Sequence, residues 1–220
     1  EQLNLKLQLS IITNNFEAII SDLLFLSKQN ELHHLINDNE QKYKDWISNE
    51  YLELCRKKRI YDQIRYLDRT GMEIVRVNYN SGDPKIVEQS GLQFKGNRYY
   101  FKDTSALEAN EIFLSPLDLN IENGEIEKPF KPMIRFGVPI FDNEKNKRGV
   151  IIFNYLGRKL IDSLKDAATL SLGNIMLVNS EGYWLCSPIQ DDEWGFMIKE
   201  RNNRRSEERR VGKECRSRWS

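Results

Sequence analysis

Leu5, Leu9, Ile12, Phe16, Ile19, Leu23 and Leu26 recur at alternating steps of four and three residues. That is the a/d seam of an amphipathic helix, and it predicts one long helix over 1–28. Leu3, Leu7, Ile11, Ile20, Leu24 and Phe25 widen the apolar stripe. A helix with so broad a face packs on its own domain, on a twin helix in a dimer, or on both. A short helix is expected over 30–37. A third is expected over 40–58, with Tyr43, Ile47, Tyr51 and Leu54 on one face. Asn37-Asp38-Asn39 between them is a break rich in capping residues. The run Arg56-Lys57-Lys58-Arg59 complements the negative end of the third helix.

From 60 onward β-branched and aromatic residues take over. Ile60 to Leu67 reads as a strand, Asp68-Arg69-Thr70-Gly71 as a tight turn, and 72–79 as a second strand. The pattern returns once. Ile64, Leu67, Asp68, Gly71 and Ile74 are matched by Ile175, Val178, Asn179, Gly182 and Leu185, so a duplicated domain is expected. Further strands are expected over 112–115, 133–141 and 149–155, with a helical turn or two over 103–110 and a hairpin turn at Asn123-Gly124. Gly157 to Ala168 reads as a helix joining the two units. Strands over 174–178 and 183–186 open the second unit. Helices gathered at the start and a mostly antiparallel sheet afterwards define an α+β class.

Composition narrows the picture. The chain has 220 residues, 40% hydrophobic and 30% charged, with zero formal net charge, so nothing argues for a nucleic-acid partner. No stretch approaches 18 uninterrupted apolar residues and no signal peptide is visible, so no transmembrane helix is expected within the chain. It opens at Glu1 in what reads as mid-helix, so a preceding membrane anchor is expected outside it. Cys55, Cys186 and Cys215 lack CxxC spacing, and with His33 and His34 they make no zinc pattern. Residues 205–220, RSEERRVGKECRSRWS, resemble the in-frame translation of a sequencing-library adapter and are set aside as a non-native tail. That tail holds 6 of the 33 Lys/Arg and 3 of the 33 Asp/Glu, which leaves a net charge of −3 on the rest. The second unit is then expected to be cut short.

The segments YDQIRYLD, NRYYFKDT, FLSPLDLNIENG, KPMIRFGVPIFD and GVIIFNYLG together resemble, in order and spacing, a double Cache domain. This is the extracytoplasmic sensor of bacterial and archaeal histidine kinases and diguanylate cyclases. The resemblance spans about 1–204. It implies a long signalling helix with shorter helices over 1–59 and a PAS-like, membrane-distal Cache domain with the ligand pocket over 60–156. The linker helix and the start of a truncated membrane-proximal domain follow over 157–204. It also implies a periplasmic or otherwise extracytoplasmic location, anchorage in the cell membrane, and pairing into a homodimer through the first helix.

Members of that family commonly hold small carboxylates or amino acids with an Arg and aromatic residues, and the matching stretch here is Arg98-Tyr99-Tyr100, followed by Asp103. The chemistry is sound in itself. A guanidinium matches a carboxylate bidentately, Tyr offers a flat wall and a hydroxyl, and Asp103 could receive a ligand ammonium. Arg135 lies in a strand otherwise fit for a core, and a buried Arg must be paired, whether by a ligand anion or by a carboxylate such as Asp118 or Glu122. Ser115 and Asn154 could add neutral hydrogen bonds. In the amino-acid-sensing subgroup one residue separates the Arg from a Trp-Tyr pair, whereas Arg98 abuts Tyr99-Tyr100 directly, which favours simple organic acids over amino acids. No GxSxG, phosphate loop, HExxH or cofactor motif is present, so no catalysis is expected from this segment. The expected function is ligand sensing for a cytoplasmic output domain; an exported solute-binding or structural protein, or a hydrolase of unfamiliar type, is the rival.

Overall fold

The computed structural model describes residues 2–38, 40–122, 124–169 and 175–206. Asn39, Asn123, Asn174 and the tail from 207 on lie outside the described residues, as do the side chains of Leu3 and Leu5. Three helices open the chain: α1 (Gln2–Ser27), α2 (Asn30–Asp38) and α3 (Gln41–Lys58). The hairpin β1 (Tyr61–Asp68) and β2 (Glu73–Asn78) follows, then the short β3 (Lys85–Ile86), α4 (Tyr99–Ala106) and β4 (Phe113–Leu114). The two-residue strands β5 (Asp118–Leu119), β6 (Ile121–Glu122) and β7 (Glu125–Ile126) precede the long pair β8 (Pro132–Phe141) and β9 (Lys147–Leu156). The chain continues through α5 (Gly157–Thr169), β10 (Leu177–Val178) and β11 (Trp184–Cys186).

The chain divides into two compact units. The larger takes Thr13–Pro116 and Met133–Leu156; the smaller takes the chain up to Ile12, Leu117–Pro132, and everything from Gly157. The excursion Leu117–Pro132, expected within 60–156, therefore sits with the smaller unit.

In the larger unit the strand order is β3-β2-β1-β9-β8-β4, antiparallel throughout. Alternation divides the two sheet faces. One face is dry. Ile64, Tyr66, Val75, Val77, Phe136, Ile151, Phe153 and Tyr155 are buried there with Ile19, Leu23, Leu26, Ile47 and Tyr51 of the helices. Phe16 meets Phe136 edge-on at 5.2 Å, and the Tyr61 hydroxyl donates to Asp22 Oδ2 at 2.6 Å. The opposite face carries α4. Gly137 is the reason α4 can come so close: a Cβ there would stand 2.3 Å from Thr104 Oγ1.

The hairpin turn recurs with the same bonding in both units. Asp68 Oδ1 accepts the N–H groups of Thr70 and Met72, and the Gly71 N–H donates to Asp68 O. Asn179 Oδ1 accepts those of Glu181 and Tyr183, and the Gly182 N–H donates to Asn179 O. Gly71 has φ +90° and Gly182 φ +84°, the left-handed region where glycine is at no disadvantage.

Three expectations need correction. A helical turn was expected at 103–110, but α4 starts at Tyr99 and ends at Ala106. No Asn caps α3: its N-cap position is Glu40, whose side chain makes no capping bond. By length and composition Lys6–Ser27 is apolar enough to cross a membrane, with mean hydropathy 1.3, yet Ile19, Leu23 and Leu26 at its end are buried in the larger unit.

Because only the second half of the α1 seam is buried, the seam should be energetically uneven. Leu23→Ala, at a fully buried position, is expected to cost about 2–5 kcal/mol in urea unfolding. Leu9→Ala, at a position 55% exposed, should stay within about 0.5 kcal/mol.

Candidate anion site

The site grows from a polar row across the second sheet face. The register pairs Asn78 with Gln63, Gln63 with Asn154, and Asn154 with Arg135, so these four side chains line up across β2, β1, β9 and β8. The next row holds Arg76 and Arg65 facing one another, then Ile152 and Gly137. Farther on, Leu67, Val150 and Ile152 pack with Tyr100 and Phe101 of α4. Arg65, Arg76, Arg135, Gln63 and Asn154 are all buried. A buried guanidinium is tolerable only if the protein replaces its water.

Around Arg65 it does so partly with neutral groups. Arg65 NH2 donates to Asn154 Oδ1 at 2.6 Å and NH1 to the Tyr100 hydroxyl at 3.1 Å. Asn154 Nδ2 in turn donates to Gln63 Oε1 at 3.2 Å. Arg135 NH1 donates to the Tyr99 hydroxyl at 3.3 Å, and its Cζ lies 5.4 Å from the Tyr100 ring centroid. The guanidinium carbons of Arg65 and Arg98 lie 5.1 Å and 5.9 Å from the same centroid. Three guanidinium groups thus lie within 6 Å of the Tyr100 ring. Burial alone would push its phenol up; the charge of Arg65 and its hydrogen bond, with Lys95 and Arg135, outweigh this and hold the phenol below its ordinary value.

Helical spacing in α4 decides which side chains take part. Tyr100 and Thr104 are one turn apart on the inner face and buried, and Thr104 Oγ1 donates to Tyr100 O at 2.6 Å. Tyr99 and Asp103 share the outer edge: Tyr99 is 39% exposed and meets Tyr100 and Phe113 edge-on, while Asp103 points to solvent. Arg98 is the half-buried N-cap residue, so it sits at the mouth of the cluster. Ser115 serves the backbone, accepting the Arg135 N–H at 2.8 Å and donating to Pro116 O at 2.8 Å. The structure therefore brings Arg98, Tyr99, Tyr100, Arg135 and Asn154 together, keeps Ser115 at the strand below, and leaves Asp103 outside.

Arg65, missed from the sequence, is the centre of the arrangement. The signal that picked out Arg135, a cation inside an apolar strand, was equally present in Ile64-Arg65-Tyr66. Cavities of about 640 Å³, between α3 and β2–β3, and about 510 Å³, in the smaller unit beside Phe130 and Trp194, lie elsewhere. Burial pushes the Cys55 thiol up to about 12, which makes it no nucleophile at neutral pH. Among the described residues no group of three His, Cys, Asp or Glu is placed to hold a metal.

The family model for the bacterial histidine kinase sensor domain matches residues 6–211. The chain belongs to this family. Its solved neighbours agree with the sensor domain's fold. A domain of a sensory box/GGDEF family protein from Vibrio parahaemolyticus superposes with a TM-score of 0.76 at 23% identity, covering 90% of this chain and 76% of that one. The extracellular domain of the histidine kinase vpHK1S-Z8 gives 0.75 at 23% identity, covering 90% and 72%. The ligand-binding domain of the Campylobacter jejuni chemoreceptor Tlp3, solved with L-valine, gives 0.62 at 12% identity, covering 82% and 66%. No curated protein matches the chain. The sensor domain is accordingly a signal-transduction module of the Cache-like, α+β kind.

The position of Tyr100 among cations makes its titration a direct probe. A folded-state pKa below the ordinary 10.0 means that the folded state releases this proton first, so stability gains from Tyr100 as pH rises from its depressed pKa toward 10 and loses that gain as pH falls again. Tyr51, Tyr61, Tyr66 and Tyr155 are shifted upward by burial and act the other way. Hence the stability difference between the wild type and Tyr100→Phe, followed by urea unfolding between pH 8 and pH 10, should move in favour of the wild type as pH rises.

Proposed function

We propose that this sensor domain is the extracytoplasmic part of a membrane-bound receptor and takes a small organic anion, above all a carboxylate, at the Arg65–Arg98–Arg135–Tyr100 cluster. The observation that carries the reading is the field at Tyr100, where buried guanidinium groups favour negative charge against the cost of burial. A carboxylate entering beside Tyr100 would meet planar, donor-rich partners already held in place. Asp103 faces solvent, so the natural acceptor for a ligand ammonium stands outside the cluster. That favours simple acids, although Tlp3 has been solved with amino acids such as L-valine and isoleucine.

Arg98 at the mouth is the gate of this reading. Binding moves the helix that Arg98 starts, and ligand shifts the receptor only by its unequal affinity for the two signalling states. In the receptor the domain pairs with a second copy through α1, where Leu7 and Leu9 carry the apolar seam into solvent, and signals to a cytoplasmic output domain.

The Arg98 hydrogen bonds are made by its backbone, which a substitution keeps, and its side chain touches the Tyr100 ring without a hydrogen bond or ion pair among the described residues, so Arg98→Ala should leave the fold intact. Thermal unfolding with acetate, lactate, pyruvate, malonate, succinate and L-valine tests the assignment. An acid at one hundred times its Kd is expected to stabilise the wild type by about 2.7 kcal/mol and to lose that effect in Arg98→Ala. No response to any acid, or a response that survives the substitution, would remove the site.

A further inference from the structure

Glu73 opens β2 on the arginine face and is completely buried. Its Oε2 accepts the Gln93 N–H at 3.0 Å and lies 3.5 Å from Arg76 NH1. Its Oε1 lies 3.7 Å from Arg65 NH1 and accepts no hydrogen bond; Arg65 Nε likewise donates none. The backbone repeats the tie, with the Glu73 N–H donating to Gln93 O at 3.1 Å and the Lys95 N–H to Gly71 O at 2.7 Å. The carboxylate that faces Arg65 is thus also the residue that anchors the segment leading to Arg98.

An ion pair at 3.7 Å with an idle oxygen on one side and an idle N–H on the other is loose for a fully buried pair, and such pairs leave part of their desolvation cost unrecovered. We propose that Glu73 is a built-in counter-anion that shares Arg65 with the ligand and thereby limits the site's pull on charge, weakening the binding of dianions more than that of monoanions. The proposal rests on the cluster being an anion site. A ligand beside Tyr100 meets an Arg65 that Glu73 already partly neutralises, and each charge it carries is repelled by Glu73 across the guanidinium. A dianion feels that repulsion twice. Around Tyr100 also stand Arg135 from β8, with Lys95 and Arg98 from the segment before α4; their attraction too doubles for a dianion, and Glu73 offsets part of that pull.

Glu73→Gln keeps the size of the side chain and a carbonyl oxygen for the Gln93 N–H but removes the charge. Two measurements follow it. The first is the ultraviolet titration of Tyr100, taken as the difference from Tyr100→Phe in each background, which needs no ligand. The second is calorimetric binding of acetate and malonate. In E73Q the Tyr100 phenol should titrate lower than in the wild type. Acetate should bind tighter by on the order of tenfold, and malonate should gain on the order of tenfold more than acetate. Should E73Q fail to fold, Glu73→Asp, which withdraws the charge by one methylene, should move both readouts the same way by less. An unchanged Tyr100 titration, or an acetate-to-malonate ratio equal to that of the wild type, overturns the role of Glu73 alone. A titration that moves while neither acid binds either protein overturns the anion-site reading on which it rests.

Discussion

Three guanidinium groups buried under one face of a sheet are the constraint from which the larger unit follows. Arg65, Arg76 and Arg135 cannot stay charged in an apolar interior without substitutes for water. The chain supplies them from its own strands. Antiparallel register places the amides of Gln63 and Asn154 beside the arginines, and α4 delivers two tyrosine hydroxyls from above. The carboxylate of Glu73 is added from β2, opposite Leu67. A shift of β1 by one residue would send Arg65 to the dry face and Ile64 to the wet one, so the polar row and the hydrophobic core specify each other's register.

The dry face does the opposite work. Ile19, Leu23, Ile47 and Tyr51 close over Ile64, Val77 and Phe153 and supply the burial that offsets the cost of the charged side. Burying one leucine or isoleucine contributes about 1.5–3 kcal/mol, and the helical layer brings several. A sheet with one apolar face and one partly charged face is thereby stable.

Much of this was legible in the residues. The heptad steps of α1, the alternation of β8 and β9, and the Asp–Gly and Asn–Gly turns each express one local rule, and each element stands where its rule puts it. Arg135 announced itself as a cation in an apolar strand. The start of α4 was not legible, because Arg98 occupies the N-cap position without a capping side chain and Gly96-Asn97 reads as a loop. That error carried over to Asp103: a helix beginning at Tyr99 turns it outward, where a looser loop would have let it reach a ligand. Arg65 and Glu73 were missed for another reason. Their significance lies in cross-strand pairing, and a pairing of β1 with both β2 and β9 is not written in any one segment.

The close approach at Gly71 has its own consequence. A Cβ on Gly71 would stand 2.4 Å from the Gly96 Cα, and one on Gly96 would stand 2.5 Å from Thr70 O. Main chain therefore rests on main chain, with no side chain between to yield. Beyond β2, 80–91 can vary in sequence and lengthen as a surface loop, but the segment's two ends are pinned at a fixed spacing. Diversity introduced by recombination or design would be tolerated along 80–91 and rejected at 71 and 96, although neither glycine has a functional group. The placement of Arg98 is then guarded by two positions without side chains, because they hold the stretch that carries it.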